Sequence, residues 1–125
     1  MDAEEQLEKA RGQLEKVQVA WFDPVDWSDL SIYGHLALEN AVVAASRHLG
    51  IPTERSHRSK SDAAEILHRD HGLPDVTDLM LELWAMRQSE SYGDVSPPGD
   101  LDPETVASGV EEFVEAVTTL LGGPA

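Results

Sequence analysis

Apolar residues recur at helical spacing in five separate stretches of this chain, and each stretch is bounded by residues that start or stop a helix. Leu7, Ala10, Leu14, Val17 and Trp21 repeat at threes and fours, which predicts an amphipathic helix over 2–21. Pro24 stops it. Asp26 or Ser28 caps a second helix, read over 29–49, with Leu30, Tyr33, Leu36, Ala37, Ala41, Ala44 and Ala45 on its inner side. The small side chains of 41–45 let a neighbouring helix come close. Gly50 and Pro52 end this helix in the usual order.

Residues 52–60 read as a polar, basic loop. Ser59 or Ser61 then caps a short third helix over 62–71, with Ala63, Ala64, Ile66 and Leu67 facing inward and Gly72 at its end. Pro74 sits at the early turn of a fourth helix over 75–92, which carries Val76, Leu79, Met80, Leu83, Trp84 and Met86. After the breaker run Pro97-Pro98-Gly99, Asp102-Pro103-Glu104 opens a fifth helix over 103–121. Val106, Val110, Phe113, Val114, Val117, Leu120 and Leu121 form its stripe. No stretch alternates with period two. The pattern predicts an all-α, up-and-down helical bundle of four long helices and one short one, in a single domain over 1–125.

Composition narrows what such a bundle does. The 125 residues include 24 Asp plus Glu, 9 Lys plus Arg and no Cys, for a net charge of −15. A hydrophobic content of 41% is that of a folded chain. The charge disfavours a phosphate backbone or an anionic membrane as partner. The lack of Cys removes disulfides, thiolate zinc sites and a thiol nucleophile. Residues 2–16, charged and helical in pattern, read as part of the domain rather than as a secretion signal, and no apolar run reaches membrane-span length. A cytoplasmic protein is expected.

The charge is unevenly laid out. Glu39 is the one acid among 31–46, which hold no base. Five bases and four of the five His fall within 47–71. Residues 72–125 hold eleven acids and one base, Arg87. A lone cation beside the apolar stripe of the fourth helix can bury its stem and reach a polar edge. Two roles remain open for it: a structural ion pair with Glu90, Glu39 or an acid of the fifth helix, or contact with an anion or a dimer seam. Tyr92, at the end of the same helix, reads as a packing residue with its hydroxyl at the rim.

The His cluster offers metal-like spacings, Glu54 to His57 and Glu65 to His68, with His71 one turn on. In di-metal bundles such pairs lie on separate long helices. Here they are close in sequence and the first lies in the basic loop. Glu65, His68 and His71 are therefore weak metal candidates, and a surface role is the expectation, with no metal and no cofactor. Arg55, Arg58 and Lys60 with His57 read as a solvated loop that pairs with acids of this chain or a partner. No glycine-rich phosphate loop and no Gly-x-Ser-x-Gly elbow occurs.

Tyr33-Gly34-His35-Leu36-Ala37-Leu38-Glu39-Asn40-Ala41, with Ala44 and Ala45, resembles the second helix of HEPN-domain proteins. Gly50 before a polar loop, His57, Gly72-Leu73-Pro74, Leu83 with Arg87, Tyr92-Gly93 and the last helix from Phe113 through Leu121 extend the resemblance over 28–121. It implies a helical bundle that dimerises. In the catalytic branch an Arg and a His a few residues further on cleave RNA, with two such motifs meeting across the dimer. Arg87 matches the Arg, but Tyr92, Gly93 and Asp94 stand where the His would fall, and 72–125 contain no His. The resemblance therefore implies the scaffold without its best-known activity: a non-catalytic, homodimeric binding or regulatory module, with a nucleotidyltransferase or another protein as partner. Arg87, Tyr92 and His57 are its candidate binding residues. Two alternatives stand beside it: a ribonuclease toxin component using Arg87, Tyr92 and His57 as substitute base, and a metal-binding bundle.

Overall fold

The computed structural model describes residues 2–22, 24–91 and 101–122. Its five helices are α1 (Ala3–Ala20), α2 (Trp27–Leu49), α3 (His57–His71), α4 (Thr77–Ser91) and α5 (Pro103–Leu120). No strand occurs among the described residues, and no described helix is long and apolar enough to cross a membrane. The all-α bundle predicted from the periodicity is the observed class.

Helix α2 is the axis of the bundle and packs against each of the other four. Its sequence explains this. Ala37, Ala41, Ala44 and Ala45 are fully buried, and with such small side chains neighbours can close in around the helix. At Gly34 the approach is tightest: a Cβ there would stand 3.1 Å from Leu83 Cδ1 of α4 and 3.7 Å from Val110 Cγ2 of α5. Phe113, Leu30, Leu38, Leu67, Leu83 and Met86 are the largest wholly buried apolar side chains, and the core draws on all five helices. Between α1 and α2, Asn40 accepts from Gln6 Nε2 at 2.7 Å and donates its amide to Gln13, two turns along α1.

The helix ends follow the expected chemistry with two corrections. Asp26 caps α2, accepting from the Asp29 N–H at 3.0 Å, and Gly50 ends it in the left-handed region at φ 74°. The third helix is not short. It begins at His57 because Ser56, not Ser59 or Ser61, is the cap: Ser56 Oγ accepts from the Ser59 N–H at 3.1 Å. Helix α3 is thus 15 residues, the length of α4, and His57, Arg58 and Lys60 belong to it rather than to a loop. The fourth helix starts later than predicted. Asp75 Oδ1 accepts from both the N–H and the hydroxyl of Thr77, at 3.1 and 2.7 Å, which holds Asp75 outside the helix.

Candidate functional site

The buried polar residues of α2 converge on one place. His35 and Glu39 lie one turn apart, and both are nearly inaccessible, at 1% and 4% exposure. The early start of α3 carries His57 to the same point, and Lys60 follows one turn on. Helix α4 contributes Arg87 and Trp84.

A carboxylate in such a setting needs compensation, because taking it out of water costs several kcal/mol. Glu39 has three partners. His57 Nδ1 lies 2.5 Å from Oε2, His35 Nε2 lies 3.4 Å from the same oxygen, and Lys60 Nζ lies 3.5 Å from Oε1. Arg87 Nη1 is 2.7 Å from His35 Nδ1. A guanidinium has no acceptor, so Arg87 donates and His35 Nδ1 accepts. Burial, with Arg87, His57 and Lys60 nearby, pushes His35 down to about 4 against the favourable field of Glu39. His35 is therefore neutral near pH 7, with its one proton on Nε2, facing Glu39. His57, meeting a carboxylate through Nδ1, donates from Nδ1.

The ring of His57 packs on Trp84, centroids 3.8 Å apart, with His35 5.7 Å from the same indole. Beside these rings opens a cavity of about 210 Å³ lined by His35, His57, Arg58, Ser61, Met80 and Trp84, with Asp62 and Leu81 at its wall. The His57 side chain is 40% exposed. Its other ring nitrogen, Nε2, makes no hydrogen bond among the described residues.

Of the residues singled out from sequence, the structure brings Arg87 and His57 into one network. Tyr92 lies outside the described residues. Arg87 meets His35 rather than bonding Glu39 directly, while Glu111 of α5 accepts from Gln18. Glu65, His68 and His71 are exposed on α3, and His68 Nδ1 donates to the Leu73 carbonyl at 2.8 Å, closing the turn after α3. They form no ligand cluster. The set whose ligand atoms do come together, within 4.8 Å among the described residues, is His35, Glu39 and His57.

In this structure the set is joined by a hydrogen bond, His57 Nδ1 lying 2.5 Å from Glu39 Oε2. Arg87 also fixes the proton of His35 on Nε2, the nitrogen that would have to ligate. Lys60 adds a further positive charge at Glu39.

Sequence reasoning missed His35, Lys60 and Trp84 as site residues and named Glu39 only as a partner for Arg87. The available signal was the lone acid of 31–46 with a His four residues before it, which puts both on one helix face.

No protein-family model, curated protein or solved structure matches this chain.

Proposed function

We propose that this chain is a HEPN-like helical binding module whose ligand is a small molecule with an apolar body, seated in the cavity beside Trp84 and read by His57. The observation that carries the reading is the Glu39–His57 contact. A buried carboxylate orients a half-exposed imidazole at the mouth of a cavity walled by Met80, Leu81 and Trp84, which is how a mostly apolar pocket fixes a ligand with few polar groups. The resemblance over 28–121 supports a homodimer that passes ligand binding on to a partner protein in the cytoplasm. The acidic charge supports a protein partner over RNA.

Titration with indole followed by NMR tests the binding. Saturable shifts at His57 and Trp84 that vanish in Trp84→Gly support it; shifts scattered over the surface, or none, count against it. Light scattering tests the dimer, and a monomer at every concentration removes that part.

One observation favours a second reading, the ribonuclease component. Arg87 and His57 stand on one polar chain through His35 and Glu39, which supports a reading in which His57 serves as the substitute base. An RNA cleavage assay with Arg87→Ala and His57→Ala decides: no activity, or activity that neither substitution alters, eliminates it.

A further inference from the structure

The polar chain has a direction, and the direction dictates what its free end can recognise. Arg87 can only donate, so His35 accepts at Nδ1 and presents its single proton at Nε2 toward Glu39. Glu39 Oε2, a carboxylate oxygen, accepts the Nδ1 proton of His57 at 2.5 Å, with His35 Nε2 3.4 Å away. Lys60 donates to the other oxygen. Every proton of the chain thus points toward Glu39, and a neutral His57 is left with a bare lone pair on Nε2. That nitrogen belongs to a ring which lines the cavity, packs at a tilt against Trp84 and is 40% exposed. A carboxylate behind the opposite nitrogen fixes the tautomer of an imidazole and the orientation of its ring.

We propose that His57 Nε2 is the acceptor of the cavity: the ligand presents a hydrogen-bond donor, a hydroxyl or an N–H, to this nitrogen while its apolar body lies against Met80, Leu81 and Trp84. The inference rests on the cavity being a ligand site, as proposed above, and adds the polarity of the group that site reads. Ligands of the same shape that offer only an acceptor or a methyl at that point are rejected, because they leave the Nε2 lone pair desolvated and unpaired.

Diethylpyrocarbonate reports on this lone pair without any ligand. The Nε2 pair attacks a carbonyl carbon, an N–C bond forms and the anhydride C–O bond breaks. The leaving ethyl carbonate takes up the proton that the ring gives up at Nδ1 and decomposes to carbon dioxide and ethanol. Modification of each His is followed by mass spectrometry at a pH of about 8, where ordinary imidazoles are neutral. His48 and His71, both exposed, serve as references, and buried His35 reports the fold by staying unmodified. The proposal expects His57 to react several-fold faster than His48 and His71, and Glu39→Gln to bring it to their level with His35 still protected. Should Glu39→Gln unfold, His35 reacts as well, and the wild-type comparison decides by itself.

Indole and 1-methylindole, which differ only in the N–H, form the second arm. Indole should slow the modification of His57 and 1-methylindole should not. Equal protection by both overturns the donor inference and leaves the cavity as a binding site. Protection by neither overturns both readings. A His57 no faster than His48 and His71 overturns the inference whatever binds.

Discussion

Arg87 reaches from α4 to α2 and donates to Nδ1 of His35 across 2.7 Å, and this bond determines which of the two ring nitrogens holds the His35 proton. The partner on the far side, Glu39, accepts from His57 and has His35 Nε2 3.4 Å away. An imidazole held neutral between a guanidinium and a carboxylate makes stability depend on pH with a definite sign. His35 is pushed down to about 4 in the fold from an ordinary 6.5. The unfolded chain therefore binds more protons than the native one between these values. The contribution is complete above pH 6.5, is lost as pH falls toward 4, and changes no further below that. At 1.36 kcal/mol per unit the full loss is about 3 kcal/mol. Urea unfolding at pH 7.5, 5.5 and 4.5 checks it against His35→Asn, which can still accept from Arg87 but does not titrate. The variant should lose markedly less stability over this range; parallel curves would sink the assignment.

Removing the guanidinium leaves His35 Nδ1 buried without its donor. Arg87→Met, which keeps an unbranched apolar stem, should cost about 1–3 kcal/mol of stability and release the tautomer of His35. Nitrogen-15 chemical shifts of the imidazole read this directly. The wild type should show Nδ1 as the bare nitrogen and Nε2 as the protonated one. The variant should show a mixture, and an unchanged tautomer in a folded variant would mean that Glu39 alone sets it.

The bundle was legible because apolar periodicity is a property of the chain itself. The stripes of α1, α2 and α5 and the stops at Gly50 and Gly72 could be placed to within a residue or two. The start of α3 could not, since 52–61 contain three Ser, Ser56, Ser59 and Ser61, with equal claims as caps. Ser56 wins by its bond to the Ser59 N–H, which no local pattern distinguishes. That choice matters beyond the fold, because it moves His57 and Lys60 from a loop onto a helix aimed at Glu39. Arg87 stood out by charge alone. His35 did not, because a single His amid apolar residues reads as packing until the Arg, 52 residues away in sequence, is brought beside it.

The close approach at Gly34 sets the distance between α2 and α4 next to His35. In Gly34→Ala the new methyl would meet Leu83 Cδ1 at 3.1 Å, and a small shift of that buried leucine is offset by the gain of about 1 kcal/mol from replacing a helical glycine. The expected change is near zero. Gly34→Val adds branches that this gap cannot hold, and should cost about 1–3 kcal/mol while drawing His35 away from Arg87. Thermal unfolding of both variants checks the order. A valine variant as stable as the alanine one would show that the helices are not in tight contact there.

Ser46 lies on the same helix, fully buried, and its hydroxyl has no hydrogen-bond partner among the described residues. A desolvated hydroxyl with no partner is a net cost to the fold, and alanine is the better helix former by about half a kcal/mol. Ser46→Ala removes one atom, so any cavity it leaves is small. The variant should be more stable than wild type by about 0.5–1.5 kcal/mol, measured as a higher urea midpoint with an unchanged slope. A loss of stability would mean that the hydroxyl is bonded in solution. The residue sits two turns beyond Glu39 on α2, so the gain should leave the reactivity of His57 untouched.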